Sequence, residues 1–236
     1  MLSMDGICNG NNVHYEELVR IKQEKKSEEY IGESLGLARP IEWTYTMRRY
    51  MQEVVPGVFL GPYSAASRSN FQSLLDNRIT HIICIRQAIE ANLIKPNFPH
   101  NFKYLVLDIA DTVTESIIQH FKKVKVFIDE SLNSNGRVLV HGNAGISRSA
   151  ALVLAYVMET YGISHMEAYL IVQQRRFCIN PNDGFMMQLR EYEPIYKAEK
   201  MLKRSQQNRE GQHRKRTIYQ MDANNQQERM GDVINS

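Results

Sequence analysis

Val138-Leu139-Val140-His141-Gly142-Asn143-Ala144-Gly145-Ile146-Ser147-Arg148-Ser149 is the stretch on which the reading of this 236-residue chain turns. Its first residues are apolar and β-branched or leucine, as a buried strand requires. A short loop of small residues follows. The run from Ala150 to Met158 is then apolar nearly all round, the pattern of a buried central helix over 148–161. A loop between a sheet strand and the helix after it lies where α/β proteins hold their ligands. Its successive N–H groups and the positive end of the helix dipole favour an anion. Gly142 and Gly145 permit unusual backbone angles and close approach of a ligand. Arg148 adds a planar fork that matches two oxygens of a phosphate. These residues describe an oxyanion site.

The flanking sequence supplies the sheet for such a loop. Pro56-Gly57 reads as a turn before a short strand, Val58 to Leu60. Ser64 to Arg78 is expected to be a helix with Phe71, Leu74 and Leu75 on its apolar side. His81 to Ile85, Phe102 to Ile109 and Arg137 to Val140 read as further strands. Thr112 and Glu115 have the spacing of a capping box, which predicts a helix from there through about Ser134. Asn135-Gly136 turns the chain. Ser164 and Glu167 cap a helix ending near Arg176, and a last helix opens near Asn182, carrying Phe185, Leu189, Tyr192 and Tyr196 at helical spacing. Pro194 should kink it. Alternating strands and helices predict an α/β fold, a central and mostly parallel sheet flanked by helices.

That domain is expected over 43–203. Residues 1–42 read as a leader, partly helical over His14 to Glu33 or disordered, and 204–236 as a disordered polar tail. The net charge is only +3, too little to imply nucleic-acid binding. The excess is local: residues 197–216 hold eight Lys or Arg against two Glu, so the remainder is acidic. Lys203-Arg204 and Arg214-Lys215-Arg216 have the form of a two-part nuclear import signal, or of a solvated basic tail. Three cysteines, Cys8, Cys84 and Cys178, are too few and too scattered for a disulfide framework and suit a reducing compartment. No signal peptide or membrane span is evident, and no residue set has metal-ligand spacing. A soluble intracellular monomer without cofactor or metal is expected.

The signature loop of cysteine-dependent protein phosphatases is His-Cys-x5-Arg followed by Ser or Thr, and His141-Gly142-x5-Arg148-Ser149 resembles it. Pro56 to Gly61 is similar to the entry strand of the dual-specificity phosphatases, and Arg176 to Leu189 to the segment beyond their loop. Glu42 to Tyr45, His81 to Gln87 and His141 to Ala151 resemble a catalytically inactive branch with glycine at the cysteine position. The resemblance covers about 43–200 and implies a single dual-specificity-phosphatase-like domain. It implies that Gly142, Asn143, Ala144, Gly145, Ile146, Ser147 and Arg148 hold phosphate, that Gly142 stands at the lost nucleophile, that Asp111 matches the general acid, and that His141 and Ser149 support the loop. It further implies partners that are phosphorylated proteins, while the basic clusters and the lack of a targeting segment place the protein in nucleus and cytoplasm. Candidates are MAP kinases of the extracellular-signal-regulated type, bound in competition with active phosphatases, and an F-box subunit of a ubiquitin ligase.

Several residues carry a plainer alternative. Arg148 would pin the loop to an acidic neighbour instead of contacting phosphate. Asp111 would favour a helix N-terminus. Arg175-Arg176 would be a solvated helix end instead of a substrate-reading patch. Slow hydrolysis by water, or a scaffold whose loop is only structural, are the rival functions. Neither Cys84 nor Cys178 lies in the anion loop, so neither is expected to replace the nucleophile.

Overall fold

The computed structural model describes residues 31–37 and 40–206. The expected leader helix over His14 to Glu33 lies mostly outside these residues, as do the tail beyond 206 and the basic cluster Arg214-Lys215-Arg216. The chain divides into two units, Met1–Glu193 and Pro194–Ser236. The first holds the sheet, the helices around it and the candidate site.

Five strands form one sheet: β1 (Gln52–Val55), β2 (Val58–Gly61), β3 (Ile79–Arg86), β4 (Lys103–Asp108) and β5 (Arg137–His141), in the order β1-β2-β5-β3-β4. Only β1 and β2 run antiparallel; every other pairing is parallel. β5 therefore sits between two neighbours with helices above and below. That burial on both faces is why its sequence is a continuous apolar run and not an alternating one. Val138, Leu139 and Val140 are all fully buried. Each such side chain contributes about 1.5–3 kcal/mol relative to exposure.

The helices are α1 (Ile31–Ser34), α2 (Phe71–Asp76), α3 (Ile118–Asn133), α4 (Arg148–Tyr161), α5 (His165–Arg175) and α6 over 183–206. α4 packs against α3, α5 and strands β2 and β5, and its residues from Arg148 to Met158 are all buried. Across the sheet a second cluster joins Phe59, Leu74, Ile79, Ile82, Phe102 and Leu139, with Phe71 and Phe98 packed against it. The Ser164 box forms as expected: Glu167 N donates to Ser164 Oγ (3.3 Å) and Ser164 N to Glu167 Oε2 (2.9 Å). Phe185, Leu189, Tyr192 and Tyr196 are all buried, and Pro194, where a kink was expected, falls at the boundary between the two units.

Four expectations need correction. β1 was not anticipated: the Pro56-Gly57 turn closes a hairpin instead of merely opening a strand. The helix expected over Ser64–Arg78 is broken into 3₁₀ turns at Tyr63–Ala66 and Arg68–Asn70 before α2, and Leu75 is 44% exposed. Ser64, Ser67 and Ser69 offer the backbone local turns in place of a helix ladder. The Thr112 box caps no helix. Glu115 N bonds to Thr112 O in an isolated turn, and α3 starts only at Ile118. Its cap comes from far away: Gln188 Oε1 accepts from Ile117 N (2.7 Å) and Ile118 N (3.2 Å), while Gln188 Nε2 donates to Glu115 O. Fourth, Arg176 is no solvated helix end, being 0% exposed.

Candidate functional site

β5 ends at His141 and α4 begins at Arg148, so the loop between them leaves the centre of the sheet at its carboxyl edge. Its carbonyls are accounted for one by one. Asn143 O accepts from Tyr63 N, Ile146 O from Asn180 N and Ser147 O from Ala151 N. Ala144 O and Gly145 O accept from Arg176 (Nη2, 3.0 Å; Nε, 2.8 Å), and Gly142 O lies 3.3 Å from His141 Nδ1. No peptide is cis. In a trans peptide the C=O and the next N–H point in opposite directions. Carbonyls tied back to the protein body therefore turn the N–H groups of 143–148 the other way. A cavity of about 220 Å³ is lined by Asp111 and residues 142–149, the residues that carry these N–H groups.

Gly145 makes this curl possible. Its φ is +68°, and a Cβ there would stand 2.3 Å from Gly61 O and 2.9 Å from Arg176 Nη2. Arg176 fills the back of the loop. Besides the two loop carbonyls it donates to Tyr50 O (2.9 Å), Arg48 O (3.2 Å) and the Gln52 amide oxygen. All of these acceptors are neutral. Burial pulls its pKa down from the ordinary arginine value. It is a structural cation that ties the loop to the segment leading into β1.

Arg148, by contrast, sits at the front. Nη1 and Nη2 donate to the two oxygens of Glu90 (2.7 and 3.2 Å), Nη1 also reaches Ile109 O (3.3 Å), and Nε lies 3.7 Å from Asp111 Oδ2. The acidic neighbour weighed as the plainer alternative therefore exists, and it is Glu90. The arginine lines the cavity while its fork is held from the side. The Arg148 hydrogen bond keeps the Glu90 carboxyl below the usual range, and the Gln87 N–H adds to this. Asp111 accepts from Ser147 Oγ (2.7 Å) and Asn182 Nδ2 (2.9 Å). It lies well before the start of α3 and belongs to the cavity wall, so its alternative reading as a residue favouring that helix is corrected.

At the floor, a Cβ built on Gly142 would meet Ser149 Oγ at 3.4 Å and Ile85 O at 3.6 Å, ordinary contacts, and its φ is unexceptional. The glycine is not demanded by space or by backbone. Ser149 is 1% exposed and its hydroxyl has no hydrogen-bond partner among the described residues. His141 is fully buried beneath the loop, stacked obliquely on Tyr63 at 5.8 Å between ring centres. Burial pushes its imidazole down to about 4, so the ring is neutral near pH 7. Cys84 pairs in register with His141 on the neighbouring strand, is fully buried, and has its thiol pushed up to about 12 by desolvation. Among the described residues no His, Cys, Asp or Glu cluster is placed to hold a metal ion, and no helix is long and apolar enough to cross a membrane.

The structure thus brings Asp111 and Gly142 through Ser149 into one cavity and puts His141 under it. Sequence reasoning missed Glu90, the role of Asn182 and the burial of Arg176. Glu90 had a faint local signal, since Gln87 and Glu90 have capping-box spacing and form one after β3.

The strand-loop-helix segment 138–149, with Arg148 at its end and Asp111 across from it, lines one cavity at the carboxyl edge of the sheet. The catalytic-domain profile of the dual specificity phosphatases matches residues 58–195, and the chain belongs to that family. Within it, the chain is 65% identical over 157 residues to the serine/threonine/tyrosine-interacting protein of Mus musculus, covering 66% of this chain and 70% of that one. It is 62% identical over 162 residues to serine/threonine/tyrosine-interacting protein B of Xenopus laevis (69% and 73% covered). The crystal structure of the human tyrosine phosphatase-like serine/threonine/tyrosine-interacting protein superposes with a TM-score of 0.62 at 64% identity, covering 63% of this chain and 98% of that one.

Proposed function

We propose that this chain is a pseudophosphatase, a phosphatase-like domain that binds phosphorylated proteins and does not turn them over. One observation carries the reading: a cradle with its amides aimed inward is intact around a position, Gly142, that has no side chain to attack phosphorus. Loss of the nucleophile costs hydrolases roughly 10⁴–10⁶ in turnover. Ground-state binding responds differently. A thiolate about 4 Å from a phosphoryl group repels it by about 1 kcal/mol per unit charge in water and more in a drier site. Glycine removes that repulsion and leaves the amides. Relatives named as interacting proteins support a binding role.

On this reading the partners are MAP kinases of the extracellular-signal-regulated type, held in competition with active phosphatases and anchored in nucleus or cytoplasm. A second reading is favoured by the clamp on Arg148. With both terminal nitrogens held by Glu90, the domain would act as a phosphate-independent scaffold, for example on an F-box protein. Pull-down with the native chain and with Arg148→Ala, from lysate with and without prior phosphatase treatment, separates the two. Capture lost on either treatment supports phosphate recognition. Capture of the same proteins in all arms rejects it in favour of the scaffold.

A further inference from the structure

We propose that the Ser149 hydroxyl is a direct ligand of the oxyanion bound in this loop, a role opened by the glycine at 142; the inference rests on the phosphate-binding reading above. Five buried side-chain polar atoms lack a partner among the described residues: His81 Nε2, His141 Nε2, His165 Nε2, Gln174 Oε1 and Ser149 Oγ. Of these residues only Ser149 lines the cavity. Its orientation is fixed by geometry. The point where a Cβ on Gly142 would stand is 3.4 Å from Ser149 Oγ and 3.8 Å from Ser149 Cβ, so the hydroxyl is the part of the side chain that faces position 142. Any side chain there would be its neighbour. With glycine, the hydroxyl looks onto the cavity floor and has a proton to donate.

Buried hydroxyls are nearly always paired, and an orphan aimed at an anion cradle has one natural acceptor. A phosphoryl oxygen lowered toward the floor meets that hydroxyl from below while the amides of 143–148 hold it from the sides. The group is neutral, so it adds a hydrogen bond without altering the charge balance between Arg148, Glu90 and Asp111. Position 142 and Ser149 then act together: glycine opens the floor, and the hydroxyl becomes part of the site instead of a support behind it.

The test uses the full chain titrated with tungstate, read by calorimetry and by melting temperature. Ser149→Ala should weaken binding roughly tenfold, the loss of one hydrogen bond to a charged acceptor. Without anion the same variant should melt no lower than the native chain, because it removes an unpaired buried group. A purely supporting serine would lower the melting temperature instead. Ser149→Thr, which keeps the hydroxyl, should retain most of the affinity. Gly142→Ala should weaken binding with Ser149 intact, and in that background Ser149→Ala should change affinity less than about twofold. Should Ser149→Ala not fold, the Gly142→Ala arm decides alone: tungstate binding as tight as native overturns the inference. Native affinity in Ser149→Ala, or an equal loss in both backgrounds, also overturns it while leaving the phosphate-binding reading standing. A native chain that binds no tungstate removes both.

Discussion

The front and the back of one loop each carry a buried arginine, and the two are used in opposite ways. Arg176 at the back is 0% exposed and, among the described residues, bonds to neutral oxygens, four backbone carbonyls and one amide. It fixes carbonyls, and so decides where the amides point. Arg148 at the front faces two carboxylates, Glu90 and Asp111, which hold a charged fork beside the cavity. One arginine builds the cradle and the other serves it. Position 142, proposed to be that of the lost nucleophile, lies on neither side of this division. Gly142 can be refilled without clash, whereas Gly145 cannot take a side chain. On the proposed reading, the contacts that shape the site are in place and only the atom that reacts is gone.

The largest expected effect comes from putting that atom back. Gly142→Cys should give turnover of an aryl phosphate, a gain of about 10⁴-fold or more over background, because a thiolate is the part whose loss costs most. Ser149 Oγ is within reach to bond to the new side chain. In that variant Asp111→Asn should slow turnover by roughly 10²–10⁴-fold if Asp111 supplies the leaving-group proton. A Gly142→Cys protein that folds, alkylates readily and hydrolyses nothing would show the front of the loop to be decayed.

The next effect should appear at the back. Arg176→Met removes the donors to Ala144 and Gly145 together with those to Arg48, Tyr50 and Gln52. Leaving several buried acceptors unpaired should cost about 3 kcal/mol or more of unfolding free energy in denaturant titration. Arg148→Ala should cost less, since Glu90 and Asp111 keep access to water, and should abolish the tungstate shift. Equal destabilisation by the two variants would erase the distinction between builder and ligand.

A smaller effect concerns the histidine under the loop. His141 has a folded pKa of about 4, well below its unfolded value, because burial penalises the charged ring. Its unfolded form binds a proton first as pH falls. It therefore withdraws stability from about pH 6.5 downward, by a few kcal/mol near pH 4. Burial also lowers His81 and His120, so they act in the same direction. The measurement is accordingly the difference between native and His141→Gln across pH 7 to 4, with the variant showing the shallower fall. Parallel curves would contradict a neutral buried ring.

The contrast between front and back also explains what the sequence made legible. The loop itself was readable because its residues are contiguous: strand, small residues, arginine and apolar helix follow one another from Val138 to Met158. The burial of Arg176 was not. Its acceptors come from residues 48, 50, 52, 144 and 145, brought together only by the fold. Thr112 and Glu115 misled for a related reason. Their local spacing promised a helix start, but an amide from Gln188 takes the cap several residues later. Glu90 escaped because its partner, Arg148, is 58 positions away. Local chemistry pointed to the loop that lines the cavity, and long-range packing determined which charges hold it.

The central claim, binding without turnover, is met most directly by calorimetric titration of the full chain with a phosphotyrosine peptide and its unphosphorylated counterpart, the peptide being recovered afterwards for mass analysis. The account predicts saturable binding of the phosphorylated peptide alone, loss of that binding in Arg148→Ala, and recovery of the peptide with its phosphate intact. Equal binding of the two peptides, or recovery of dephosphorylated peptide in amounts that track the protein through purification, would contradict it.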